Sequence, residues 1–109
     1  ILKNEIIYKN GVILTWTKYK KKTKISPTIS ILKDEIKINQ LVNKNQGNGM
    51  AKIIFQEFIK QNKTKLYLDV KKDNIRAINF YKKNKFIELE NKFFGKTKIP
   101  GVIMVRNYE

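Results

Sequence analysis

Apolar and polar positions along the chain follow two periods, and the switches between them mark its elements. Val12, Leu14 and Trp16 alternate with Ile13, Thr15 and Thr17, a two-residue period that predicts a strand. Ile6, Ile7 and Tyr8 come before it, and Asn10-Gly11 carries the signal of a tight hairpin turn, so two antiparallel strands are expected. Ser26-Pro27-Thr28 breaks the pattern, and from Ile29 the chain is extended again. Ile36 and Ile38 alternate, but Leu41-Val42 falls out of step by one residue, as a β-bulge or an irregular edge would. Met50 to Gln61 changes to the helical period, with Ala51, Ile54, Phe55 and Phe58 at i, i+3, i+4 and i+7 and Lys52, Gln56, Glu57 and Lys60 on the other side. Leu66 to Val70 is a short apolar run of the kind buried inside a sheet. Asp73 or Asn74 suits the cap of a second helix that carries Ala77, Phe80 and Tyr81 on one face and ends at Asn84-Lys85. Phe86 to Leu89 and Ile103 to Tyr108 read as a closing pair of strands, joined by a loop that holds Gly95, Pro100 and Gly101.

The order strand, helix, strand around Met50 to Gln61 predicts a right-handed crossover between parallel neighbours. With antiparallel strands before it and a helix and strand pair after it, the fold class is α/β, an α+β mixed sheet. The chain has 109 residues, of which 41% are hydrophobic and 11% aromatic, a composition that buries a core and excludes disorder. One domain over 1–109 is expected.

Charge changes the picture less than its size suggests. The net charge is +15, which ordinarily points to nucleic acid or another polyanion. Only Arg76 and Arg106 among the 24 basic residues are arginine, however, and the lysines are spread along the whole chain. Surfaces that read bases lean on the planar fork of arginine, so a nucleic acid partner is not required. The run Lys18 to Lys24 reads as a solvated strand end or a binding patch. No Cys and no His are present, which excludes disulfides, cysteine nucleophiles, Ser-His dyads and the usual zinc sites. No metal is expected. No apolar run approaches the ~20 residues that span a bilayer, so the expectation is a cytoplasmic protein without a membrane partner. The sequence starts at Ile1 rather than Met, as a processed product or the end of something longer would.

Gln46-Gly47-Asn48-Gly49-Met50-Ala51 stands where the strand turns into the helix. Two glycines there let backbone approach a ligand, and the free N–H groups of the first helical turn face it as donors, an arrangement that binds phosphates. A tight turn without a ligand has the same sequence.

Two motifs stand in order along the chain. The first is Gln/Arg-x-x-Gly-x-Gly/Ala, met by Gln46, Gly49 and Ala51, with Gly47 in its frequent place. The second is Asn-x-x-Ala-x-x-Phe-Tyr followed by a basic stretch and Phe, met by Asn74, Ala77, Phe80, Tyr81 and Phe86. Together they resemble the GNAT superfamily of acetyl-CoA-dependent N-acetyltransferases. The match covers roughly residues 29–86. It departs from the family where a glycine usually stops the second helix, since Asn84-Lys85 asks a non-glycine residue to take positive φ at a cost of about 1 kcal/mol. It departs again at the front, where a strand and helices that wall the acceptor site are usual and this sequence begins near the second strand.

The resemblance implies an N-acetyltransferase that moves acetyl directly from acetyl-CoA to a primary amine. It implies that the backbone of Gln46, Gly47, Asn48, Gly49, Met50 and Ala51 holds the coenzyme A pyrophosphate, that Leu41 and Val42 pair with the pantetheine arm, and that Asn74 hydrogen-bonds that arm. Tyr81 is implied as the acid that protonates the departing thiolate. A phenol of ordinary pKa would do so almost thermoneutrally, and a Tyr that only packs is the alternative. Glu35, on the strand before the turn, resembles in spacing the glutamate base of histone-type members, and also fits an exposed glutamate balancing Lys33 and Lys37. The acceptor is unknown, and the cationic surface tilts toward neutral or acidic amines. A homodimer or a partner subunit would complete the acceptor wall, with the lone Trp16 as its reporter. The alternative function is a non-catalytic coenzyme A or polyanion (nucleic acid) binding module with the same fold.

Overall fold

A computed structural model describes residues 3–45 and 47–108 as two compact units, Ile1–Thr64 and Lys65–Glu109. In the first unit, strands β1 (Lys3–Lys9) and β2 (Val12–Lys18) form the expected hairpin. Its tip, Asn10 at φ 51° and Gly11 at φ 80°, has the two left-handed residues that a two-residue turn needs to follow the strand twist. A two-residue ribbon, β3 (Thr23–Lys24) against β4 (Ser30–Ile31), was not legible in the sequence. Strand β5 (Ile36–Asn43) then pairs antiparallel with β2 and leads to helix α1 (Met50–Gln61).

Alternation decides which face of this sheet is dry. Val12 and Leu14 are fully buried, with Trp16, Ile36 and Ile38 beside them, and Ile54, Phe55 and Phe58 of α1 close over that face. The Trp16 ring lies 4.7 Å from Phe58, and its indole N–H donates to Glu5 Oε2 at 3.0 Å. Trp16 is therefore an internal packing residue, 8% exposed, and not the interface reporter expected from its being the lone tryptophan. The opposite face carries exposed Ile6, Tyr8 and Val42. Lys20, Lys21 and Lys22 are exposed, while Tyr19 in the same run is buried.

The second unit pairs β6 (Leu66–Lys71), helix α2 (Ile75–Lys83) following it, with the hairpin β7 (Ile87–Phe94) and β8 (Ile99–Arg106), and β8 lies between β6 and β7. Leu66, Tyr67 and Leu68 of β6 and Val102 to Val105 of β8 are buried on both faces, so these strands read as continuous apolar runs. The hairpin corrects the expected loop. Only Gly95 to Lys98 turn, closed by Lys98 N–H to Gly95 O at 3.2 Å, and Pro100 and Gly101 are strand residues. Pro100 lacks a donor but its carbonyl accepts Lys72 N–H at 3.0 Å, and Gly101 lies under the Phe94 ring, where a β-carbon would clash. Among the described residues no helix is long and apolar enough to cross a membrane.

Candidate functional site

The slip read between Ile38 and Leu41 is a bulge. Ile38 faces Trp16 and Gln40 faces Thr15, which leaves Asn39 as the extra residue, its amide donating to Thr17 Oγ1 at 2.8 Å. Beyond it Leu41 lies opposite Leu14 and Val42 opposite Ile13. An antiparallel residue gives both its N–H and its C=O to one neighbour only at alternate positions. One of Leu41 and Val42 therefore points both groups away from β2.

Where β5 ends, side chains of asparagine tie the chain into the turn. Asn45 N–H donates to Asn43 Oδ1, Asn43 Nδ2 donates to Asn48 Oδ1, and Met50 N–H donates to the same Asn48 oxygen, all at 3.0 Å. Gln46 lies outside the described residues. Gly47 at φ 90° and Gly49 at φ 75° are both left-handed, and a β-carbon at either would meet no described atom within 4 Å. Gly49 caps α1 with no side-chain bond, and Ile53 N–H reaching Gly49 O begins the helical ladder. Of the first-turn donors that a helix leaves without an internal acceptor, that of Met50 is taken by Asn48. Gly49, Ala51 and Lys52 carry the other three.

In the second unit, Asn74 rather than Asp73 is the cap of α2, accepting Ala77 N–H at 3.2 Å on Oδ1. Its Nδ2 is then the donor it has to offer. At the other end the helix closes in a Schellman motif: Phe86 N–H reaches Tyr81 O at 3.0 Å, Lys85 N–H reaches Lys82 O at 3.1 Å, and the Phe86 and Tyr81 rings pack at 5.6 Å. The non-glycine residue that takes positive φ is Lys85 at φ 70°, whereas Asn84 stays at φ −96°. Asn84 is buried instead, its Nδ2 donating to Phe80 O at 2.8 Å and its carbonyl accepting Arg106 Nε at 3.1 Å.

Tyr81 differs from its expected setting. It is 9% exposed and more buried than Phe80, so its ring belongs to the core. Burial pushes its phenol up to about 12. Passing a proton from such a phenol to a thiolate whose acid lies near ~8.5 climbs ~5 kcal/mol, so the donation is not thermoneutral. Glu35 also moves. It precedes β5 in a turn, where its carboxylate accepts Leu32 N–H at 2.8 Å and its backbone carbonyl accepts Tyr19 N–H at 3.0 Å. The eight residues of β5, some ~26 Å of strand, separate it from the glycine turn.

One part-buried carboxylate escaped the sequence reading. Asp69 on β6 pairs with Lys92 on β7 at 2.8 Å across β8, and the Lys92 ammonium also lies 5.1 Å over the Phe94 ring. The apolar run around Asp69 hid it. No group of three or more His, Cys, Asp and Glu among the described residues is arranged to hold a metal.

No protein-family profile matches this sequence, and no curated protein matches it. Solved structures do. The ribosomal-protein-S18-alanine N-acetyltransferase from Escherichia coli matches at 16% identity with a TM-score of 0.70, over 99% of this chain and 70% of that one. The NatC complex bound to Gag peptide and CoA matches at 15% identity and a TM-score of 0.62, over 91% of this chain and 62% of that one. An acetyltransferase of the GNAT family from Streptococcus pneumoniae matches at 15% identity and 0.64, over 93% and 69%. The chain thus spans less than two thirds of the NatC chain's length. What these proteins share with it is architecture, and the fold of this chain is that of the GNAT acetyltransferases.

Proposed function

We propose that the protein is an N-acetyltransferase that binds acetyl-CoA at the turn between β5 and α1 and passes the acetyl group to a primary amine of a peptide or protein. The observation that carries this reading is a pair of left-handed glycines with open space over them, opening a helix whose Gly49, Ala51 and Lys52 donors have no acceptor inside the helix. Gln46, Gly47, Asn48, Gly49, Met50 and Ala51 form the pyrophosphate cradle, with Asn48 holding its shape through Met50. Leu41 and Val42 meet the pantetheine arm as a strand would, and Asn74 Nδ2 donates to it.

The neutral amine attacks the thioester carbonyl, a C–N bond forms, the C–S bond breaks, and the amine's surplus proton leaves to water. The Tyr81 hydroxyl donates a hydrogen bond to the departing sulfur and stays protonated, as its raised pKa requires. Glu35 is not needed as the base, and Glu35→Gln should leave turnover within about twofold in a thiol-release assay. The peptide or protein class of acceptor is supported by two proteins of like fold, one named for an alanine of ribosomal protein S18 and one holding Gag peptide. An α-amine, with a pKa of about 8, is partly neutral at pH 7.5 without a strong base, and a lysine amine is not.

Calorimetric titration with coenzyme A, followed by release of free thiol from acetyl-CoA on adding peptides with free amino termini, tests the reading. Coenzyme A binding without amine-dependent release would favour the second reading, a binding module. The charge of +15 supports that one, and steep loss of nucleic-acid affinity with salt would extend it to polyanions.

A further inference from the structure

The tip of the β1–β2 hairpin is fastened to the segment that enters the glycine turn. Lys44 N–H donates to Gly11 O at 2.8 Å, and the Asn45 amide lies against Gly11 so closely that a β-carbon there would sit 2.7 Å from it. Asn43, opposite Val12 in the sheet, reaches forward to Asn48 within the turn. Hairpin tip and glycine turn are therefore one laced assembly inside the first unit.

On that assembly stand an aromatic ring and a cation with no role in the core. Tyr8 is 65% exposed, in the row Tyr8, Ile13, Val42, two strand spacings or ~10 Å from β5. The exposed Lys44, one residue beyond the end of β5, holds its ammonium 5.3 Å from the centre of the Tyr8 ring. A large exposed aromatic held by a lysine offers a flat apolar face and a positive charge together. A purine carrying a phosphate on its ribose asks for that pair: the base stacks on the ring, and the phosphate takes the ammonium.

We propose that Tyr8 and Lys44 form the subsite for the 3′-phosphoadenosine end of coenzyme A, Tyr8 stacking on adenine and Lys44 pairing with the 3′-phosphate. This rests on the reading of the glycine turn as the pyrophosphate cradle and adds to it the part of the ligand that selects coenzyme A over its dephosphorylated form. The pyrophosphate fixes one end of the nucleoside, and the laced asparagines keep the hairpin tip at constant distance from it.

The test is a set of calorimetric titrations with coenzyme A and dephospho-coenzyme A on the parent, Tyr8→Ala and Lys44→Ala, with thermal unfolding as a folding control. The parent should prefer coenzyme A by at least fivefold. Lys44→Ala should erase that preference and leave dephospho-coenzyme A affinity unchanged, and Tyr8→Ala should weaken both ligands at least fivefold. Equal affinity of the parent for the two ligands, or variants that bind as the parent does, would overturn the subsite while leaving the cradle standing. A parent that binds neither ligand would overturn the cradle and the subsite together.

Discussion

Two helix ends in this protein demand left-handed backbone, and they meet the demand differently. At the start of α1 both positions are glycine, Gly47 and Gly49. At the end of α2 the position is Lys85, and elsewhere Asn10, Asp34 and Lys98 adopt positive φ as well. The chain thus accepts the cost of about 1 kcal/mol for a side chain in this conformation at these four positions. Nothing among the described residues crowds Gly47 or Gly49, so no internal contact explains the absence of a side chain there. Gly95 also stands in open space, but at a hairpin tip, where no helix donors converge. Bare backbone beside N–H groups without a helical acceptor is what sets the start of α1 apart, and it is the feature on which the proposed pyrophosphate cradle rests.

The largest test of this contrast is Gly49→Val. A branched side chain fills the space over the first turn, and coenzyme A affinity should fall more than a hundredfold by calorimetry, with folding stability reduced by only ~1–2 kcal/mol. Retained binding would make the start of α1 no different from the end of α2.

The second test uses the buried phenol of Tyr81, packed on Phe86 at the other helix end. Because the folded state holds the Tyr81 proton up to about 12 while the unfolded chain releases it near ~10, this contribution to stability is complete below pH 10 and is lost as pH rises toward 12. Denaturant unfolding of the parent should lose ~3 kcal/mol more than Tyr81→Phe over that window. The same substitution should lower acetyl transfer at least tenfold while coenzyme A binding persists; unchanged turnover would leave Tyr81 as a packing residue with no hydrogen bond to the departing sulfur.

The smallest effect belongs to Lys85→Gly. Relieving the left-handed lysine should stabilise the protein by about 1 kcal/mol, several degrees in Tm, without moving coenzyme A affinity. A loss of stability would mean that the Schellman closure depends on the lysine side chain.

Local chemistry was legible in the sequence, and tertiary surroundings were not. Asn10-Gly11 announced its hairpin, and the slip before Leu41 announced the bulge at Asn39, because both depend on a few adjacent residues. Pro100 and Gly101 were misread because their strand role comes from partners distant in sequence: the Lys72 N–H and the Phe94 ring. Glu35 followed spacing along the chain, which cannot show that strand β5 starts one residue later. The burial of Tyr81 beyond Phe80 depends on where Phe86 folds back, a consequence of the Lys85 turn.

The packing of Trp16 makes it a natural optical label. It is the sole indole in the chain, sealed against Phe58 and tied to Glu5, so its emission belongs to the first unit alone. Far-ultraviolet dichroism, by contrast, records both helices. Following the two signals through one denaturant titration separates loss of residues 1–64 from loss of 65–109, and coincident curves would mean that the whole chain melts as one cooperative body.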